Sequence, residues 1–272
     1  MKKSYSAYPY AVWAILFTVI PLFMVLVYSV YDKNTGAFTL EYIKKCFEPA
    51  YLSIILNSFR IALICTFLCL VLGYPMALIL SKIKSKGKNI LLFLVIAPMW
   101  MNFLLRTYAW LTVLEKNGII NKFLGLFGIE HIQLLYNEGA VMLGMVYNYL
   151  PFMILPIYTV LAKLDESVLQ AASDLGASKM QTFAKVILPL SMPGVYSGIA
   201  MVFMPAVTTF VITKLLGGGQ QNMIGNIIEE QFMLANNWGF GSALSLLLMI
   251  VILISMAVSN KLNPDEKGGG LI

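Results

Sequence analysis

Side chains that carry covalent chemistry are almost absent from this chain. His131 is its one histidine, and Cys46, Cys65 and Cys69 form neither a Cys-x-x-Cys pair nor a Cys/His cluster at metal spacing. That excludes a zinc centre and a disulfide framework, and no metal ligand set is expected. Histidine-based hydrolysis is excluded with them, and His131 reads as a solvated surface residue. No Gly-x4-Gly-Lys-[Ser/Thr] phosphate loop occurs either. What remains is recognition. Trp100, Tyr108, Tyr147, Tyr149 and Phe210 are aromatic side chains suited to helix packing or interfacial anchoring, or to lining a path. The stretch 216–242 has no lysine or arginine, and carries Glu229 and Glu230 after a Gly217-Gly218-Gly219 run. It reads as an outer docking surface or cation-attracting mouth around Gly218, Glu229 and Glu230, or as a solvated loop.

The elements that must hold these residues are membrane spans. Of the 272 residues 59% are hydrophobic and 12% charged, with a mean hydropathy of +0.80, against roughly 25% charged in a soluble domain. So little polar material cannot cover a water-facing surface. A span needs about 20 apolar residues, and six stretches qualify: about 11–30, 58–80, 90–114, 140–161, 193–215 and 243–260. The expected fold is an all-α polytopic bundle of about six transmembrane helices over 11–260, with cytoplasmic segments 1–10 and 261–272. The apolar run after Met1-Lys2-Lys3 is too long for a secretory signal and lacks a small-x-small site near Tyr28-Ser29-Val30, so it reads as a retained helix.

Lysine placement sets the orientation. Lys82, Lys84, Lys86 and Lys88 crowd the 81–89 link without an acid, which puts that link, both termini and the 162–192 loop in the cytoplasm. By that assignment 11 of the cations face inside and 5 the outer loops. The net charge of +6 therefore reflects topology and not a nucleic-acid partner. The spans contain no Asp or Glu, and their three cations, Arg60, Arg106 and Lys214, lie near outer ends. They are expected to snorkel to the interface or, for Arg106 and Lys214, to pair with Glu115, Glu229 or Glu230. Pro21, Pro75, Pro98, Pro151, Pro156 and Pro205 interrupt the spans, as in a path that opens and closes, or as ordinary membrane-helix prolines.

The 162–192 loop reads as two short helices. Asp165 caps the first, Gly176 stops it in a left-handed conformation, and Ser178 with Gln181 makes a capping box for the second, which should end before Pro189. Val168, Leu169, Ala171, Ala172 and Leu175 give the first helix a small apolar face. Such a pair is either a knob for a partner's groove or a connector tucked against its own bundle.

Gln170-Ala171-Ala172, Gly176 and Val186-Ile187-Leu188-Pro189 resemble the EAA loop of ABC-importer permeases, with Gln170 in place of Glu and Val186 in place of Ile. The likeness covers about residues 50–260 and includes Leu-Gly-Tyr-Pro at 72–75, Ala-Pro-Met-Trp at 97–100 with Arg106 and Tyr108, Leu-Pro-Phe-Met at 150–153, Lys-Leu-Asp at 163–165, Asp174 to Phe183, and Ile-Gly-Asn at 224–226. Within the family it is similar to the B-type permease of spermidine/putrescine importers, which implies a polyamine cation as cargo and Trp100, Tyr108, Tyr147, Tyr149 and Phe210 as aromatic faces along its path, each worth about 0.5–2 kcal/mol. The resemblance implies a non-catalytic permease subunit of the bacterial inner membrane that forms half of a translocation pore. Its implied partners are two copies of an ATPase, which binds ATP and magnesium, a C-type permease and an extracytoplasmic substrate-binding protein. The coupling contact would use Gln170, Ala171, Ala172, Asp174, Gly176, Ala177 and Ser178. A permease for ferric iron or another small solute is the near alternative, and a non-ABC channel or structural membrane subunit the distant one.

Overall fold

The computed structural model describes residues 8–32, 36–83 and 87–262. Lys2, Lys3, Lys84, Lys86 and the tail 263–272 lie outside the described residues. Among the described residues the chain is helical apart from loops and one isolated antiparallel bridge, Tyr31 with Phe38. Five helices are long and apolar enough to cross a membrane, six if one bent pair is a single span.

Helix α1 (Tyr8–Ala14) passes through a π-helical turn at Ile15–Val19 into α2 (Ile20–Val30). A short α3 (Glu41–Cys46) then leads into α4 (Pro49–Lys82). At 34 residues α4 is about 50 Å long, well beyond a ~30 Å hydrocarbon core. The stretch expected as one span at 90–114 is two helices, α5 (Gly87–Trp100) and α6 (Phe103–Leu114), with α7 (Ile119–Gly125) beyond; the chain bends 95° at Met101–Asn102. Asn102 starts α6 by accepting the Leu104 N–H on Oδ1 at 2.8 Å, so a new helix begins where hydropathy alone shows no interruption.

The centre of the bundle is α8 (Glu138–Leu161), which packs along α4 and along α11 (Leu188–Thr208). Apolar surface gains little by leaving lipid, so membrane helices associate through close packing of small residues. Gly194 and Gly198 lie four apart on one face of α11. A Cβ at Gly194 would sit 2.8 Å from the Pro156 carbonyl oxygen, and one at Gly198 2.7 Å from Met153 Sδ. Cys65 and Cys69 are fully buried side chains of α4 in this same core.

Between α8 and α11 come α9 (Glu166–Asp174), α10 (Lys179–Thr182) and a second π-helical turn, Phe183–Ile187. The expected end of helix before Pro189 does not occur: helix continues over 30 residues, Lys179–Thr208. A proline ring collides with the carbonyl four residues earlier in an α-helix. Here the Leu188 N–H reaches back five residues to the Phe183 carbonyl, and the wider turn makes room for the ring. The first π turn does the same before Pro21, where the Ile20 N–H reaches the Ile15 carbonyl. The chain closes with α12 (Val211–Leu216), α13 (Ile224–Met233) and α14 (Trp238–Leu262), and α14 packs along α2.

Candidate functional site

The α9–α10 loop is built by local hydrogen bonds. Asp165 accepts the Ser167 N–H at 2.9 Å, and that N–H holds the carboxyl below its usual range, so the cap stays ionised at neutral pH. Gly176 ends α9 with φ +76°, where an L side chain is strained. The Ser178 N–H donates to Gln181 Oε1 at 2.8 Å, and the Gln181 N–H returns to Ser178 Oγ at 3.3 Å. Both readings of the loop find a place. Leu164, Leu169 and Phe183 pack against the core, while Val168, Leu175 and Met180 stand exposed by 43%, 88% and 74%. Gln170, Ala171, Asp174, Gly176 and Ser178 are exposed beside them, with Ala172 and Ala177 half-buried. The result is an anchored knob with an uncovered apolar tip.

The anchor is Tyr74 of α4. Its ring meets Phe183 edge-on with centroids 5.9 Å apart, and its hydroxyl lies 2.8 Å from Ser191 Oγ. Ser191 spends its own proton on the Leu188 carbonyl at 2.9 Å, so Tyr74 is the donor. Displacing the knob therefore pulls on the π turn, on α11 and on α4 together.

The aromatic candidates do not form one constellation. Trp100 stacks edge-on against Phe93 within α5, and Tyr147 against Trp110 of α6. Tyr149 is a core residue whose hydroxyl donates to the Pro205 carbonyl at 3.2 Å. Tyr108 is an exposed residue of α6. Phe210 and Glu229 do come together, on a cavity of about 500 Å³ between the α11–α12 break, α13 and α14. Asn226 secures that break: its Nδ2 donates to the Phe210 carbonyl at 3.0 Å and its Oδ1 accepts from Thr213 Oγ1 at 2.7 Å. Glu229 turns to Lys214 at 2.9 Å, the pairing expected for that lysine. Glu230 and Gly218 are exposed, and Gly218 lies against the Tyr136 ring.

Residues 69–267 match the family described as binding-protein-dependent transport system inner membrane component. The chain belongs to this family. The permease is 40% identical over 253 residues to the spermidine/putrescine transport system permease protein PotB of Escherichia coli (strain K12), covering 90% of this chain and 92% of that one. It is 41% identical over 258 residues to the protein of the same name in Haemophilus influenzae, covering 92% and 90%. In fold it is similar to a chain of a bacterial ABC transporter involved in import of the acidic polysaccharide alginate, with TM-score 0.81 at 14% identity over 94% of this chain and 92% of that one.

Two features of the permease were missed by sequence reasoning. The Gly194–Gly198 contact had a readable signal, two glycines four apart in an apolar run. Arg106 had none. It does not snorkel: it is 8% exposed on the inward face of α6, and among the described residues neither Nε nor Nη1 has a hydrogen-bond partner. A charge held this way is costly. Replacing even a buried ion pair by apolar residues of similar volume ranges from neutral to about 1–4 kcal/mol stabilising, and a lone buried charge has no partner attraction to lose. Arg106→Met is therefore expected to keep or raise the thermal midpoint of the purified permease in detergent. A midpoint several degrees lower would show that the guanidinium is held by favourable contacts within the fold.

Proposed function

We propose that this permease forms half of the translocation pore of an ATP-driven polyamine importer in a bacterial inner membrane. The observation that carries the substrate class is the 40% identity over nine-tenths of the chain to a spermidine/putrescine permease. The partners in this reading are two ATPase subunits that bind ATP and magnesium, a C-type permease and an external substrate-binding protein. The lysine-rich link and the α9–α10 knob, which share one end of the bundle with the C-terminal end of α8, face the cytoplasm, and both termini lie there too. ATP binding closes the ATPase pair, the knob moves with it, and Tyr74 and the π turn pass that motion to α4 and α11. The chain performs no covalent chemistry.

The test is uptake of labelled spermidine and putrescine by cells that lack their own polyamine import and express the permease with its partners. A Cβ at position 176 meets open space, so Gly176→Asp adds only the left-handed strain of about 1–2 kcal/mol and a charge at the contact. Saturable uptake that falls at least tenfold in Gly176→Asp, at unchanged membrane abundance, is the expected result. Wild-type uptake by the variant would remove the coupling role. No polyamine uptake by an assembled importer would move ferric iron or another small solute to the front.

A further inference from the structure

Between α4, α5 and α8 runs an apolar groove of about 460 Å³, with Met76 and Ile79 on one wall, Leu91 and Leu94 on the second and Pro151 and Ile154 on the third. Among the described residues nothing closes it, and no residue of α5 is buried. Two of the walls change character one turn toward the lysine-bearing end. Tyr158 follows Ile154 by four residues and Lys88 precedes Leu91 by three, spacings that keep each on the face of its helix that lines the groove. Lys88 Nζ lies 5.4 Å over the Tyr158 ring, which fixes the ammonium at the mouth. The amino-terminal end of α5, with its partial positive charge, lies at the same level. Lys82, three residues past Ile79, lies on another side of α4, where it shares a separate small cavity with Ser81 and Glu166 on the side of α9.

We propose that this groove is a binding site for one anionic phospholipid, with an acyl chain along α5 and the phosphate at Lys88 and the amino-terminal end of α5. Length selects a lipid over a helix from another subunit. From Lys88 to Pro98 is about 15 Å of helix, one leaflet of a ~30 Å hydrocarbon core. Just past Pro98 the chain turns by 95° and α5 ends. The Lys88 ammonium and the positive end of α5 at an interfacial mouth select a negative headgroup over a zwitterionic one.

The test uses the assembled importer, purified in mild detergent, stripped of lipid, placed in nanodiscs of phosphatidylcholine with one-tenth phosphatidylglycerol, then re-extracted for native mass spectrometry. Wild-type is expected to retain phosphatidylglycerol and little phosphatidylcholine. Lys88→Gln should lose at least tenfold of that occupancy. Leu94→Trp, which fills the groove from a position 59% exposed, should lose it with Lys88 in place. Lys163→Gln, at a lysine elsewhere on the same end, should change nothing. Equal retention of the two lipids by wild-type, full retention by Lys88→Gln or by Leu94→Trp, or equal loss from Lys163→Gln would each overturn the site.

Discussion

Leu175→Asp is expected to strip the ATP-hydrolysing subunit from the permease while leaving the membrane bundle intact. Leu175 is 88% exposed and follows the last turn of α9. A surface substitution of this kind changes stability by no more than about 0.5 kcal/mol. At an interface the same position behaves differently. An apolar anchor at the centre of a contact is worth about 2 kcal/mol or more, and a carboxylate in its place must also be desolvated without a partner. Together these weaken binding by at least about a hundredfold, or ~2.7 kcal/mol. The measurement is titration of purified ATPase subunit onto the detergent-solubilised permease, with the thermal midpoint of the variant recorded in parallel. Wild-type affinity at a normal midpoint would show that the knob docks through another surface.

The second large effect is inside the bundle. Gly194→Leu should prevent α8 and α11 from seating, because a Cβ at that position already meets the Pro156 carbonyl oxygen at 2.8 Å and Ile157 Cα at 2.9 Å. Both are backbone atoms, which cannot swing aside as a side chain does. Overpacking typically costs about 1–3 kcal/mol, and a whole leucine against backbone belongs at or above the top of that range. The expected readout is loss of the monodisperse peak in size-exclusion chromatography after extraction. Gly198→Leu should be milder, since the nearest obstacle there is the mobile Sδ of Met153. Equal behaviour of the two variants would mean that contact with backbone is not what limits the pair.

The sequence was most informative where structure is decided within a few residues. Asp165, Gly176, Ser178 and Gln181 act on their own neighbours, and the loop they shape follows from their types and spacing. The family resemblance was legible for the same reason, since its motifs are contiguous. Features set by distant atoms were not. Hydropathy runs through Met101–Asn102 without a gap, and only Asn102, a good helix starter, hints at the 95° bend there. Arg106 looked like a snorkelling residue because its burial depends on which face of α6 meets α8 and α12. Tyr149 looked like a possible path residue, and its placement in the core depends on how α8 rolls against α11. Pro189 was the plainest misdirection. Proline argues for a helix end, and nothing local announces that the preceding turn will widen.

That widened turn has a consequence for alignment. A π turn holds one residue more than the α turn it replaces, and one residue corresponds to about 100° of azimuth. The helix over Lys179–Thr208 therefore has two angular phases joined at Phe183–Ile187. A helical wheel drawn straight through it assigns Met180 and the capping box to the wrong side relative to Gly194 and Gly198. Relatives that lack the extra residue will align with a single gap in this window, and that gap will mark a rotation of the loop about the helix axis.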